Sequence, residues 1–450
     1  MKASMLTRLL VSTILLVSSV LWAQVAAPAA EPAATGSSAS GGAMLTPTPV
    51  SSEAYSMGFA SETRANYLRG GLVFGSAYDD GATVSANGQP GSDVSYSIWP
   101  TIALDQTHSR FHWVLSYSPG FTFYQRTSSR NEADQNLTVD SKYRLSPHVT
   151  LSLRDSFQKT SNVLNQPNSD LDQPVSGAVF VPNNSVIAPV ANMLRNTANA
   201  TLTYQFGANR MIGASGTFTN LHYASQAQVP GLGDSSSRAG SAFYNHRLSK
   251  MHYIGATYQY QMFLAYPTLG QSETQAHSVF LFYTLYLKPT LSISVFGGPQ
   301  YSNTAQFGLP TMNSWSPAGG ASMGWQGRLT SFALSCSRAI NDSGGLSGAV
   351  EAISANSSLR RQLTRNLSAS VGASYASNSV LDALPALNTS GHTISASASV
   401  QRQVGEHLNL QLQYMRLHQS YSEVAVLSAV PDRNRGSITI SYQFVRPLGR

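Results

Sequence analysis

Charge is scarce in this chain. Only 11% of its 450 residues are Asp, Glu, Lys or Arg, against about a quarter in an average soluble protein, so an ordinary soluble surface is a poor fit. Cysteine is nearly absent. The lone Cys336 excludes an internal disulfide framework, and stability must come from another kind of closure. Long apolar runs are missing after residue 21, which leaves no candidate for a membrane-spanning helix. The basic residues behind the formal net charge of +7 lie scattered near turns rather than among aromatics, so a nucleic-acid partner has no support.

Catalytic and metal motifs are equally thin. Gly320-Ala321-Ser322-Met323-Gly324 has the G-x-S-x-G form, but that elbow needs a strand-to-helix turn, and no helical pattern follows it here. The ten histidines include no H-E-x-x-H and no pairing with Cys336 at ligand spacing. Asp170 and Asp172 are two isolated carboxylates, too few for a calcium site. No catalytic residue, cofactor site or metal site is expected.

The N-terminus reads as an export signal. Lys2 and Arg8 form a basic start, Leu9 to Leu21 is a 13-residue apolar stretch, and small residues follow, with cleavage expected after Ala23 or Ala27. Thirteen residues fall short of the roughly 20 that span a bilayer. Residues 1–27 are therefore assigned to a signal peptide. Residues 28–62, rich in Ala, Pro, Ser and Gly, are assigned to a flexible periplasmic segment.

The rest of the chain, 63–450, is dominated by a repeat. Leu104, Leu145, Phe206, Leu248, Leu287, Gly327, Leu363, Val404 and Phe444 each precede a tight turn or close the last strand, with gaps of 41, 61, 42, 39, 40, 36, 41 and 40 residues. Such a period fits an array of long hairpins. The turns are short, as in Arg144-Leu145-Ser146-Pro147-His148 and Gln403-Val404-Gly405-Glu406-His407, and a longer loop occurs at the other end of each hairpin. Side chains alternate between the two faces of a strand, and the sequence follows suit. Ile438, Ile440, Tyr442 and Phe444 oppose Ser437, Thr439, Ser441 and Gln443; Ile394, Ala396, Ala398 and Val400 oppose Thr393, Ser395, Ser397, Ser399 and Gln401. One apolar face, one uncharged polar face, short turns on one side and long loops on the other predict an all-β fold, a transmembrane antiparallel up-and-down β-barrel. About 18 strands are expected, or 16 if residues 64–78 and 314–327 do not form strands. The short turns fall after even-numbered strands, which sets both ends of the barrel on the periplasmic side. Tyr143, Tyr204, Tyr244, Tyr286 and Tyr442 should form one interfacial belt, and Phe123, Phe157, Phe218, Tyr223 and Tyr375 the other.

The segment from Phe111 to Tyr124, Asn136-Leu137, and Tyr143-Arg-Leu-Ser-Pro-His-Val-Thr-Leu-Ser-Leu153 resemble the β-barrel porins of Gram-negative outer membranes, in particular the second β-barrel porin family. The resemblance is one of pattern and covers residues 64–446. It implies a cell outer-membrane location, and some members of that family are linked to exopolysaccharide export. The last strand also resembles the signal read by the barrel-assembly machinery, with Tyr442 and Phe444 at its aromatic positions. Val445 to Arg450 follow them, a departure from the usual form.

Two function classes follow. The first is a porin-like channel for passive diffusion of small polar solutes. The second is a structural or secretion-linked barrel tied to polysaccharide export. The partners expected are outer-membrane lipid, the assembly machinery, small polar solutes, and either a second copy of the chain or an export complex. Neither a phospholipase-like or protease-like barrel nor a transporter with a folded plug domain is supported, because no catalytic cluster is present and residues 28–62 are too short for a plug. The one irregular gap places a long loop at residues 162–194, the third on the extracellular side, which either folds inward to narrow the pore or stays a flexible surface loop. Asp140, Lys142, Arg144 and Arg154 are the candidate pore-lining charges.

Overall fold

The alternation of apolar and hydroxyl side chains leaves each segment one face for lipid and one for water, and closing the sheet removes its edges. The computed structural model describes residues 66–84, 90–128, 131–160, 164, 192–224, 231–266, 270–288, 290–306, 308–342, 344–381, 390–422, 424 and 431–448. The signal and linker assignments lie outside them, as does most of the loop 162–194.

The strands are β1 (Tyr67–Val84), β2 (Pro90–Thr107), β3 (Phe111–Tyr124), β4 (Glu132–Arg144), β5 (Val149–Thr160) and β6 (Met193–Gly207). They continue with β7 (Arg210–Tyr223), β8 (Asp234–Arg247), β9 (His252–Tyr266), β10 (Ser272–Lys288), β11 (Leu291–Gln306) and β12 (Met312–Gln326). The last six are β13 (Thr330–Asn341), β14 (Val350–Thr364), β15 (Leu367–Val380), β16 (Ser390–Val404), β17 (Leu408–Tyr421) and β18 (Asp432–Pro447). Each pairs antiparallel with its sequence neighbours, and β1 pairs with β18 from Tyr67↔Pro447 to Asp79↔Arg435, closing an 18-stranded barrel. The segments 64–78 and 314–327, on which the count turned, are both strands.

The two faces fall as the alternation requires. Ile438, Ile440, Tyr442 and Phe444 are exposed outward, and so are Ile394 and Val400. Thr393, Ser395, Ser397, Ser399 and Gln401 on the opposite face are buried. Tyr143, Tyr204, Tyr244 and Tyr442 are exposed near the short turns, and Phe123, Phe218 and Tyr375 towards the longer loops. Two expected belt residues sit elsewhere. Tyr286 packs edge-on against Tyr253, with ring centroids 5.5 Å apart, on the parity of the inward side chains Ser272, Thr274 and Ala276. Tyr223 is 2% exposed and inside the barrel. Strand parity carries both inward, and propensity alone gave no sign of it.

Candidate pore and its crossing loop

Uncharged hydroxyls cover much of the inner wall. Ser215 and Ser241, Ser370 and Ser399, and Ser374 and Ser395 are direct cross-strand partners 2.7 Å apart. Ser337–Ser354 and Thr284–Ser294 repeat the motif at 2.9 Å. A hydroxyl both donates and accepts, so each pair satisfies one bond across the strands and keeps further capacity for water. Four inward aromatics lie against the wall. Phe243, Phe282 and Tyr421 lie over the glycines directly opposite, Gly213, Gly255 and Gly391, and Trp99 lies over Gly120. A Cβ at any of those glycines would stand 2.2–2.4 Å from the ring, so glycine lets the ring lie flat against the wall.

The inward charges divide between two levels. Asp140, Lys142 and Arg144 share one face of β4 with the buried Asp134 and Asn136, and Arg154 is the cross-strand partner of Asp140. All four are exposed and lie towards the short turns. At the same end the buried Asp105 accepts from Arg69 and meets His112, each at 3.1 Å. At the long-loop end Asp79, Asp93 and Arg433 are packed away. Arg433, whose side chain is 1% exposed, donates through Nε and Nη2 to the Asp79 carboxylate, at 3.2 and 2.5 Å, and Arg435 Nη1 lies 3.7 Å from it. Asp93 beside them accepts from the backbone of Val94, Arg126 and Thr127 and from the Thr127 hydroxyl.

A crossing of the lumen completes this end. Leu221 and Tyr223 of β7 share one buried cluster with Leu232, Leu346, Val350 and Ala352 of the β14 region, Val380, Tyr421 and Val424. In a ring of 18 strands β7 and β14 belong to different walls, so these contacts bridge the mouth. The bridge is the connection between β13 and β14. Tyr223 Oη donates to Gly344 O at 2.8 Å, Gly233 N to Gly345 O at 2.7 Å, and Ser235 Oγ to Asp342 at 3.3 Å. Gly345 has φ of +108°, and a Cβ there would come within 2.6 Å of the Tyr223 ring. Only glycine meets both conditions at once. Leu346 is the sole large apolar side chain between Asp342 and Ala349 and is 2% exposed; burying it stabilises the crossing by roughly 1.5–3 kcal/mol. The loop 162–194, which length singled out, lies mostly outside the described residues, and the crossing seen among them is a short glycine-rich segment. Its signal in the sequence was a lone leucine among glycines and serines.

No protein-family model matches the chain, and no curated protein is similar to it. Among solved structures it is similar to Pseudomonas aeruginosa OpdK with vanillate, at 11% identity, covering 84% of this chain and 99% of that one with a TM-score of 0.43. Pseudomonas aeruginosa OccK2 (OpdF) matches at 11% identity over 85% of this chain and 98% of that one, TM-score 0.45. The FrpB iron transporter from Neisseria meningitidis matches at 11% over 78% and 62%, TM-score 0.40.

Proposed function

We propose that the chain is a porin-like channel of the cell outer membrane, passing small polar solutes by passive diffusion, with its passage narrowed where residues 342–349 cross the extracellular mouth. The observation that carries this reading is the contrast between a hydroxyl-lined, sparsely charged inner wall and a local crossing that, among the described residues, is made by a loop rather than by the wall. Water and neutral solutes suit such a wall, and a loop held by Leu346 and three hydrogen bonds can define the narrowest point. Asp140, Lys142, Arg144 and Arg154 are the charges a solute would meet on the periplasmic side. Tyr442 and Phe444, exposed outward on the closing strand, are assigned to recognition by the barrel-assembly machinery.

Single-channel recording in planar bilayers tests the reading. The wild-type barrel should show small, steady conductance. A variant in which Gly344–Gly348 is replaced by a two-residue turn should conduct several-fold more and discriminate less by solute size. Because closure entropy changes slowly with loop length, the shortened barrel should still assemble. If neither form conducts, the barrel is not a channel, and the structural or export-linked reading replaces it.

A further inference from the structure

The barrel wall is not hydrogen-bonded along its full height. β11 and β12 pair from Leu291↔Trp325 to Thr304↔Met312, but β12 and β13 pair only from Gln326↔Ser331 to Gly319↔Arg338. On its β13 side the stretch Met312–Ala318 has no strand partner among the described residues. At about 3.3 Å per residue this is about 20 Å of open edge. The top of β13 has moved away from it: Ala339, Ile340 and Asn341 pair with β14 alone. The Ile340 N–H, which a continuous sheet would direct to β12, donates instead to Gln300 Oε1 of β11 at 3.3 Å. Ile340 is 1% exposed and packs with Phe263, Ala276 and Ala349 inside the barrel.

The neighbouring wall is built for this break. Pro299 and Pro317 stand directly opposite each other on β11 and β12, which removes one donor from the side of β11 that faces β10 and one from the side of β12 that faces β13. At Gly298 a Cβ would lie 1.8 Å from Val279 O, so the β10 main chain presses against β11 at this level. Outside the open edge, Trp315 is 71% exposed and lies 5.1 Å from the Tyr301 ring. Exposed tryptophan and tyrosine mark the boundary between hydrocarbon and water. The residues below Trp315, from Ser316 to Ala318, therefore lie at the depth of the outer leaflet.

An unpaired strand edge is not tolerated against hydrocarbon unless it lines a water-filled cavity or is buried in protein. The mouth above is crossed by Leu346 and its neighbours, while the wall beside them is unzipped and backed by the apolar surface of Phe263, Ala276, Ile340 and Ala349. From this arrangement we infer that the β12–β13 seam is a lateral opening, through which small apolar or amphipathic molecules pass between the lumen and the outer leaflet. The polar path of the preceding section is not required for this route, and either can fail without the other.

The test uses the full-length barrel with Cys336→Ser, carrying a nitroxide at Ser316→Cys or, as control, at Ser322→Cys. Both positions face inward on β12, but Ser322 lies where β13 is paired. In lipid vesicles the label at 316 should be relaxed by both oxygen, which concentrates in lipid, and an aqueous nickel chelate. The label at 322 should respond to the chelate alone. Identical responses at the two sites would overturn the proposal. Function is read in cells by uptake of N-phenyl-1-naphthylamine. The pair Ser316→Cys and Asn341→Cys, opposite each other if the existing register is extended, should bring uptake to the empty-vector rate when oxidised and restore it on reduction, with ion conductance unchanged. Uptake that is the same in both redox states would also overturn it. Hydrogen exchange on the unmodified protein needs no variant: the amides of Asn313 and Trp315, which point to the open edge, should exchange several-fold faster than those of Gly319–Gln326, and equal protection would mean that the edge is covered by another strand.

Discussion

Two groups of inward charge use the same residue types for opposite purposes. Near the short turns Asp140, Lys142, Arg144 and Arg154 are exposed, and water screens each of them. At the long-loop end Asp79 and Arg433 are 3% and 2% exposed, bonded to each other across the closing strands. The comparison shows that an inward charge on a barrel strand is not by itself a pore charge. Burial decides whether it faces a solute or rivets the wall. Asp79 joins β1 to β18, where the first and last strands meet, and the low dielectric there strengthens the pair.

The sharpest way to break this comparison is to remove one carboxylate at each end. Asp79→Ala leaves Arg433 and Arg435 with an uncompensated buried charge and should cost about 3–5 kcal/mol. Asp140→Ala, in screened surroundings, should cost less than about 1 kcal/mol. Denaturant unfolding of the detergent-solubilised barrel, followed by the heat-modifiable gel shift, measures both. Equal losses would mean that the two ends do not differ in the way their burial states.

A smaller effect separates inside from outside. Ile440→Arg would set a charge against hydrocarbon, at up to roughly 2–4 kcal/mol near the midplane. Thr439→Arg, its neighbour on the lumen face, should assemble almost normally. The yield of folded protein in outer-membrane fractions compares them directly. A pair of variants with the same yield would contradict the register Ile440↔Phe74 and Thr439↔Gly75 that closes the barrel.

Much of the fold was legible because a period of two is a strong signal when one face is lipid. Residues 437–444 and 393–401 carry their face in the pattern itself, and the eight short turns separate the hairpins. What was not legible depends on three-dimensional neighbours. Tyr223 has the parity of an inward residue, yet its burial depends on the β13–β14 connection and the cluster around Leu346. The break between β12 and β13 is invisible in a pattern that reads each strand alone, although Pro299, Pro317 and Gly298 were its local traces. Asp79 and Arg433 are 354 residues apart, and nothing short of closing the ring brings them together. The candidate charges on β4 and β5 could be named from parity, but which inward charges are exposed could not.

The smallest expected effect is the most direct test of what the exposed charges do. Reversing Arg144 and Arg154 together to Glu removes two positive charges from the short-turn side of the lumen and adds two negative ones. Both side chains are exposed, so each change should alter stability by no more than about 1 kcal/mol, and the hydroxyl-paired strands remain as they are. Selectivity, in contrast, follows the sign of the charge that an ion passes. In a potassium chloride gradient across a planar bilayer the reversal potential should therefore shift towards cation preference, and the shift should shrink as salt rises, because screening shortens the reach of each charge. The same reversal at Arg433 would instead disrupt the closure with Asp79 and yield little folded barrel. A double reversal at 144 and 154 that leaves the reversal potential unchanged at low salt would remove β4 and β5 from the ion path, and with them the distinction between rivet and pore charge.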